Sequence, residues 1–137
     1  MTRRGAWATG DGPNILSPEA YLLAVAKDMS EAVLQRKVEE ALSATGWRWF
    51  HAPDNRPAGK AGRVQRVVPG FPDLCAVNAR QRRVLYAELK RHTGRVSDDQ
   101  AAWHADLMTA GQEVYVWRPM DLLDGTIVDV LTGRSTR

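Results

Sequence analysis

Hydrophobic positions recur along the chain with two different periods, and the change from one period to the other separates predicted helices from predicted strands. The first clear segment has the i, i+4, i+7, i+8 spacing of a helix with one buried face, at Leu34, Val38, Ala41 and Leu42. Ser30 is a suitable N-cap for this helix, and Gly46 is a suitable stop. The pattern therefore predicts a helix over residues 31–43.

Four shorter segments have the composition of strands. Residues 47–51 are rich in aromatic side chains, and residues 114–117 combine valine with aromatic residues. Between them, the apolar segments 73–77 and 84–90 are joined by the polar turn 78–83, so we expect them to pair as a hairpin.

A second amphipathic helix follows the hairpin. Ser97 is its predicted N-cap, Asp98 and Asp99 lie in its first turn, and Gly111 is its stop. Its apolar stripe consists of Trp103, Leu107 and Ala110. Residues 120–123 and 127–131 are predicted to form a small closing element. The order helix, strand, strand, strand, helix, strand predicts an α/β sandwich around a mixed β-sheet flanked by helices.

The two ends of the chain differ in pattern. We expect an N-terminal arm over residues 1–29, in which Ser17, Pro18 and Glu19 begin a short helix that runs to about Lys27. Residues 30–137 are predicted to form the main domain. Prolines, glycines and basic residues between positions 52 and 69 predict a long loop, and long loops in compact domains are more often functional than not.

Composition narrows the class of protein. A chain of 137 residues with 44% hydrophobic and 26% charged residues is typical of one globular domain. Because Cys75 is the only cysteine, the chain forms no internal disulfide and no thiolate zinc cluster, which indicates a reducing compartment. The apolar runs are too short to span a bilayer and the start lacks the apolar stretch of a signal peptide, so we expect a cytoplasmic protein without a membrane partner.

The distribution of charge is more informative than its total. Residues 55–96 contain ten lysines or arginines and two acids, a net charge of +8, whereas the rest of the chain has nine basic and fourteen acidic residues. A basic segment of this kind is what a nucleic acid would contact, although a solvated basic face is the plain alternative. The two acids inside the basic segment, Asp73 and Glu88, favour the first interpretation because of their relation to each other.

The predicted hairpin places these two acids side by side. If Val77 faces Val84 across the turn, then Asp73 faces Glu88 on the same side of the sheet. Such cross-strand pairs have Cβ atoms about 4.5 to 5.5 Å apart, and two like charges at this distance are destabilising without a positive charge between them. A divalent cation would supply that charge.

Lys90 belongs to the same arrangement, because it projects from the same face about 7 Å further along the strand. Val84 and Tyr86 on that face, with Cys75 and Val77 opposite them, are expected to lie under a helix. Leu85, Ala87 and Leu89 fill the opposite face. A strand that is apolar on both sides is central in its sheet, and charges at its end open into a cleft. The alternative, that Glu88 and Lys90 are a solvated pair on an edge strand, fits this pattern poorly.

Other chemically capable side chains have plainer explanations. His51, His92 and His104 lack the spacing of metal ligands, so we expect surface or hydrogen-bonded histidines. Cys75 is expected to be a core residue, and the tryptophans on strands and on the second helix are expected to pack in the core: Trp47, Trp49, Trp103 and Trp117.

The ordered motifs resemble a known family. Gly70-Phe71-Pro72-Asp73 followed by Glu88-Leu89-Lys90 is similar to the Pro-Asp…Glu-X-Lys core of the restriction-endonuclease-like, or PD-(D/E)XK, nucleases. The continuation Gly94-Arg-Val-Ser-Asp-Asp-Gln100-Ala-Ala-Trp103 resembles the VRR-Nuc (virus-type replication-repair nuclease) branch of that superfamily. The resemblance runs from about Ser30 to Pro119. It departs from the family at residues 91–94, where relatives often have Gly-Pro-x-Asp.

The resemblance implies functions for particular residues. Asp73, Glu88 and the backbone carbonyl of Leu89 would be metal ligands, and Lys90 would activate the attacking water or stabilise charge on the phosphate. Glu31 would hold a metal-bound water as a further catalytic and metal-site residue, although the helix dipole alone also favours an acid there. The resemblance and the basic segment together suggest nucleic-acid contacts at Gln35, Arg56, Lys60, Arg63, Arg66, Arg91 and Gln100, although Gln100 is equally well explained as an exposed helix residue.

These implications define the expected activity. The family's chemistry is hydrolysis of DNA phosphodiester bonds with Mg²⁺ or Mn²⁺, and we expect a structure-selective endonuclease of phage or bacterial type that acts on Holliday junctions, flaps or other branched DNA. The resemblance further suggests a homodimer. The alternative is a non-catalytic DNA-binding module that retains the nuclease fold.

Overall fold

The computed structural model describes residues 15–52 and 68–134, and five helices and four strands follow one another in these two ranges. The helices are α1 (Pro18–Asp28), α2 (Glu31–Ala44), α3 (Asp98–Thr109), α4 (Pro119–Leu123) and α5 (Thr126–Leu131). The strands are β1 (Arg48–His51), β2 (Leu74–Asn78), β3 (Arg83–Leu89) and β4 (Glu113–Trp117). Each predicted element is present, with bounds that differ from the expected ones by one or a few residues.

Serine hydroxyls fix the start of the three longer helices. Ser17 accepts from the backbone N–H of Ala20 at 3.1 Å, and Ser30 accepts from that of Val33 at 3.1 Å. Ser97 does the same for α3. Each hydroxyl satisfies one of the N–H groups that the first helical turn leaves without an intrahelical partner, so the predicted caps are confirmed.

The four strands form one mixed sheet in the order β1-β2-β3-β4. The pairs β1–β2 and β2–β3 are antiparallel, and β3 pairs with β4 in parallel. A parallel pair requires a crossover connection, and α3 provides it. The mixed α/β sheet with flanking helices is therefore confirmed, and β3 is central within it, as its apolar residues predicted.

One face of the sheet carries the main core. Leu74 and Ala76 of β2 are fully buried there beside the odd-numbered residues of β3, Leu85, Ala87 and Leu89. Helix α2 supplies Leu34, Val38 and Leu42, and α5 supplies Ile127, Val130 and Leu131. The buried Trp47 ring closes one end of this core, where its Nε1 donates to the Leu131 carbonyl at 3.0 Å.

The other face is covered only in part, which corrects one expectation. Val77 and Val84 were expected to lie under a helix, but their relative exposures are 41% and 37%. The reason is that α3 packs on β4, while Phe71 fills the space between Tyr86 and Trp103 with edge-to-face ring contacts. The half of the β2–β3 hairpin nearest its turn is left open, and Cys75 is half-buried.

The expected apolar stripe of α3 is also corrected. Trp103 and Leu107 are half-buried and Ala110 is exposed, whereas His104 is the buried residue of this helix. Trp47 and Trp117 are buried as expected, and Trp49 is half-buried with its Nε1 donating to Ser43.

Helix α1 lies within the part expected to be an arm, yet it packs against α4 and buries Ala26. Within residues 15–52 and 68–134, no helix has the length and hydropathy needed to cross a membrane.

Candidate active site

Two carboxylates meet where strands β2 and β3 end. The predicted register is confirmed, because Val77 pairs with Val84 and Cys75 pairs with Tyr86. The ladder continues to Leu74 and Ala87, so Asp73 stands one residue before β2, beside Glu88. Alternation along both strands puts the two carboxyl groups on the face opposite the main core.

Asp73 is held by the backbone of the neighbouring strands. Its Oδ2 accepts from the N–H of Leu89 at 2.8 Å, and its carbonyl accepts from the N–H of Ala52 at 2.7 Å. Gly70 at the start of the Gly-Phe-Pro-Asp segment has a φ of +83°, and a Cβ built on it would lie 2.4 Å from the backbone carbon of Asp99. Only glycine allows this segment to approach the start of α3 so closely.

Glu88 is nearly inaccessible to solvent, with 2% exposure. Its Oε2 accepts from Gln100 Nε2 at 2.7 Å, while its Oε1 is buried without a hydrogen-bond partner. Burial first, then the negative charge of Asp73 and last that of Glu31 raise the pKa of Glu88 to about 8, whereas the charge of Lys90 acts in the opposite direction. The fold thus places a carboxyl group where its ionised form is unfavourable.

Lys90 follows Glu88 at the mouth of the site. Its backbone N–H donates to the Trp117 carbonyl at 3.0 Å, which extends the β3–β4 pairing by one residue. Its Nζ lies 3.8 Å from Glu88 Oε2, close enough for an ion pair and too far for a hydrogen bond. The side chain is 14% exposed, so Lys90 is less deeply buried than Glu88 and borders the site.

Glu31 and Gln35 lie on α2, one turn apart. Glu31 is the exposed first residue of the helix, and its charge helps to raise the pKa of Glu88, so it lies near the hairpin carboxylates. Gln35 is half-buried, and its Nε2 donates to Glu39 Oε2 at 2.9 Å within the helix.

Gln100 connects the site to helix α3. Its Oε1 accepts from the N–H of Ser97 at 2.8 Å, and its own N–H donates to the Ser97 hydroxyl at 3.1 Å, which together form a capping box. Its Nε2 is then directed at Glu88. The side chain is therefore a fixed partner of the carboxylate, and the interpretation of Gln100 as an ordinary exposed helix residue is wrong.

His104 is a site residue that the sequence did not reveal. It lies one helical turn after Gln100, is 7% exposed, and has a buried Nε2 without a hydrogen-bond partner. Burial first, and then the charge of Lys90, lower the pKa of His104, while Asp73 opposes them. The expectation of a surface position is wrong for His104, and its Nε2 makes no hydrogen bond. The four-residue spacing from Gln100 was the available signal, because it places both side chains on one helix face.

The donor groups suit a hard divalent cation. Glu88 Oε1 is a buried acceptor without a partner, and the neighbouring Asp73 carboxyl adds a second hard oxygen. The Leu89 N–H points to Asp73, and because the N–H and C=O of one strand residue point to the same edge, the Leu89 carbonyl lies on that side too. Within the described ranges no cluster of three or more His, Cys, Asp or Glu side chains is placed to hold a metal, so a backbone carbonyl and water would complete the ligand set.

The basic residues expected to contact nucleic acid are divided by the structure. Arg91 is exposed immediately after Lys90. Arg56, Lys60, Arg63 and Arg66 lie outside the described residues. The turn after Lys90, where the sequence departs from the family pattern, is closed by a hydrogen bond from the Gly94 N–H to the Arg91 carbonyl at 3.0 Å.

Comparisons with known proteins agree with this fold. A family profile described as the VRR-NUC domain matches residues 24–121. A solved structure titled "VRR_NUC domain" superimposes with a TM-score of 0.51 at 22% sequence identity, covering 71% of this chain and 92% of the other. At that identity the likeness shows the fold alone. No curated protein gives a significant match.

Proposed function

The chain belongs to the VRR-NUC domain family, a nuclease-type family, and from this premise we propose that it is a metal-dependent endonuclease that hydrolyses DNA phosphodiester bonds. The observation that carries the proposal is the state of Glu88, a buried carboxylate beside a second one with an oxygen that has no partner. A fold maintains such an unfavourable group when a ligand relieves it. A divalent cation is the ligand that two adjacent carboxylates favour.

Each group has a distinct proposed task. Asp73, Glu88 and the Leu89 carbonyl would hold Mg²⁺ or Mn²⁺, which when bound supplies Lewis-acid chemistry by lowering the pKa of water and offsetting charge on the phosphate. Glu31 would orient a water molecule from the α2 side. Gln100 keeps Glu88 in one orientation through its 2.7 Å hydrogen bond.

Lys90 is proposed to act on the reacting phosphate. Its ammonium lies 3.8 Å from Glu88 Oε2, and its side chain is partly exposed at the border of the site, where a phosphate group would approach. From there it would stabilise the negative charge that develops on the phosphate or on the attacking water. A cation is not a ligand for Mg²⁺, so Lys90 would act in the chemical step without holding the metal.

DNA is the proposed substrate because of the +8 charge of residues 55–96, which include Lys90 and Arg91. Phosphate contacts are proposed for Gln35, Arg91 and the basic residues of the loop, Arg56, Lys60, Arg63 and Arg66. Branched DNA such as Holliday junctions or flaps, a homodimeric assembly, action in phage or bacterial DNA repair, and a cytoplasmic location complete the proposal.

The alternative is a DNA-binding module without catalysis. Decay of a nuclease site removes one of the charged hairpin groups, whereas Asp73, Glu88 and Lys90 are all present and adjacent here. The enzyme is therefore the better supported of the two functions.

A cleavage assay tests the proposal directly. Labelled single-stranded, duplex, flap and four-way DNA is incubated with the protein in Mg²⁺, in Mn²⁺ or in EDTA. We expect metal-dependent cleavage that Asp73→Ala and Glu88→Ala both abolish, while Glu40→Ala, an exposed acid on α2, leaves the rate unchanged. Binding without cleavage in every metal would support the non-catalytic module, and cleavage by either site variant at the wild-type rate would show that the site is misplaced.

The basic loop is tested by binding. Replacing Arg56, Lys60, Arg63 and Arg66 with alanine should weaken binding to all DNA sequences alike, and each replacement should lower the slope of log K against log salt by about one unit. Unchanged affinity and slope in the quadruple variant would reduce the loop to a solvated basic face.

A further inference from the structure

The turn that follows β3 is held by a single guanidinium group. Arg118 Nη1 donates to the carbonyl of Arg91 at 2.9 Å and to the carbonyl of Gly94 at 2.7 Å. These two carbonyls lie at the first and last residues of the turn, which the hydrogen bond from the Gly94 N–H to the Arg91 carbonyl closes at 3.0 Å. One side chain therefore fixes both ends of a four-residue segment.

Arg118 is itself held in place by its neighbours. It follows Trp117, the last residue of β4, whose carbonyl accepts from the Lys90 N–H at 3.0 Å. Its own N–H donates to Asp121 Oδ2 at 2.8 Å, and Pro119 beside it is buried. The junction of β4 and α4 thus holds the backbone of Lys90 through Trp117 and the turn after Lys90 through Arg118.

The turn also faces the side chain of Lys90. A Cβ built on Gly94 would lie 3.4 Å from Lys90 Cδ, so the side of the glycine where a Cβ would stand faces the aliphatic stem of the lysine. A lysine side chain has four rotatable bonds, and fixing it costs rotamer freedom. Packing along the stem limits the positions open to Nζ, which here lies 3.8 Å from Glu88 Oε2.

We propose that Arg118 is a positioning residue for cleavage, because its two carbonyl contacts keep the turn 91–94 against the Lys90 stem and so keep the ammonium in the active site. The inference rests on the proposed function insofar as Lys90 acts in the chemical step. Arg118 acts through Lys90 and needs no contact with the substrate.

The same position allows a different explanation that the test must separate. Arg118 lies beside Arg91, which is a proposed phosphate contact, so Arg118 could bind a phosphate of DNA itself. Removing such a contact would also slow cleavage at low DNA concentration. The two explanations differ in what changes: positioning alters the single-turnover rate at saturating DNA, whereas a phosphate contact alters DNA affinity and its salt slope.

The experiment compares Arg118→Ala and Arg118→Gln with Arg80→Ala, which removes the same charge from the exposed turn at the other end of the hairpin. In single-turnover cleavage at saturating DNA, Arg118→Ala should be slower by about tenfold, with DNA affinity changed no more than the charge-matched control. Arg118→Gln, which keeps one carbonyl donor, should recover part of the rate. Guanidinium ion added to Arg118→Ala should also restore part of it.

Epistasis identifies the group through which Arg118 acts. Adding Arg118→Ala to Lys90→Ala should slow cleavage no further, because the group that the turn positions is already absent. Gly94→Ala, which adds a methyl group against the Lys90 stem at unchanged charge, should slow wild-type cleavage and also have no effect in Lys90→Ala. Multiplicative rate losses, or a loss confined to DNA affinity and salt slope, would overturn the proposal.

A measurement without cleavage separates this inference from the proposed function. In protein labelled at lysine Cε with ¹³C, the Lys90 signal, assigned with Lys90→Arg, should show restricted motion in wild type and in Arg80→Ala and freer motion in both Arg118 variants. That result would stand even if no DNA were cut. Lys90 mobility that stays unchanged in both folded Arg118 variants would overturn the inference even if the nuclease activity were confirmed.

Discussion

The two ends of strand β3 differ in how a charged side chain is paired. We call them the guanidinium end, at Arg83, and the carboxylate end, at Glu88. At the first end, Arg83 donates from Nε and Nη2 to both oxygens of Glu113, at 2.9 and 2.7 Å, and from Nη1 to Gln81 and to the Val130 carbonyl. Its guanidinium carbon also lies 5.0 Å from the centre of the Trp47 ring. At the other end, Glu88 has one oxygen without a partner and a second carboxyl group as its neighbour.

The guanidinium end contains an ion pair that stabilises the fold. The carboxylate end contains a group that does not stabilise the fold and that the fold maintains for another purpose. At the guanidinium end, Arg83 and Glu113 form an ion pair with two direct hydrogen bonds, and such geometry is the condition for a net gain in stability. The carboxylate end is less favourable than an uncharged replacement would be. Natural proteins break such local rules at functional sites, so the two ends should respond oppositely to removal of charge.

The largest effect is expected from Lys90→Ala, at the carboxylate end. Loss of a group that stabilises charge in the transition state typically costs about 2 to 4 kcal/mol, or roughly 10²- to 10³-fold in rate. The variant should bind Mn²⁺ and DNA nearly as wild type does, and single-turnover cleavage beside calorimetry of Mn²⁺ binding measures both quantities.

The control at the guanidinium end is Arg82→Ala, an exposed basic residue in the turn before β3, which should leave the rate unchanged. If Mn²⁺ affinity in Lys90→Ala fell in step with the rate, the lysine would be maintaining the structure of the site and its proposed chemical action would be wrong.

The next effect is on stability and depends on pH. Because the pKa of Glu88 is raised from its usual 4.5 to about 8, the folded state holds a proton that the unfolded state releases. As far as Glu88 is concerned, the free energy of unfolding in EDTA is therefore highest below pH 4.5. It falls by about 2 to 4 kcal/mol as the pH rises from 4.5 through 8. Urea unfolding at pH 5, 7 and 9 measures this loss.

Glu88→Gln is the matched variant, since it keeps the shape and cannot ionise. His104 acts in the opposite direction, because its lowered pKa removes stability as pH falls below about 6.5, so the difference between wild type and Glu88→Gln isolates Glu88. We expect that difference to grow with pH and to shrink when Mn²⁺ is added. A difference that is constant with pH would mean that Glu88 is ionised throughout.

Opposite behaviour is expected at the guanidinium end. Glu113→Gln removes the charge that holds Arg83 by two hydrogen bonds, with both side chains 18% exposed, and should destabilise the fold by about 1 to 2 kcal/mol. Cleavage per folded molecule should be unchanged, because the change lies at the far end of the strand. Urea unfolding with a single-turnover assay measures both, and a variant as stable as wild type would remove the contrast between the two ends.

The carboxylate end was predictable because it depends on local pattern. Alternation along the two strands fixes the register of Val77 with Val84, and the fourth residue pair from there brings Asp73 next to Glu88. No knowledge of the remaining fold is needed for this step, since a shift of one residue would expose Leu85 and Ala87.

His104 and the exposed valines were not predictable because they depend on how α3 docks. The rotation of α3 is set by the close approach of Gly70 to Asp99, 29 residues apart, and by the contact of Phe71 with Trp103, 32 residues apart. The hydrophobic pattern of the helix alone favoured Trp103 and Leu107 for burial and gave no reason to bury a histidine.

The smallest effect distinguishes the two tasks of Gln100. Ser97→Ala removes the hydroxyl cap of α3 and should cost about 1 kcal/mol of stability. Gln100→Ala removes the reciprocal half of the same capping box and, in addition, the 2.7 Å hydrogen bond to Glu88 Oε2. Gln100→Ala should therefore lose more stability in urea than Ser97→Ala, because it also leaves a second oxygen of the buried Glu88 side chain without its hydrogen bond. Only Gln100→Ala should slow single-turnover cleavage per folded molecule, by about fivefold to tenfold. Equal rates in the two variants would mean that the glutamine serves the helix alone, and that Glu88 is oriented by Asp73 and Lys90 without it.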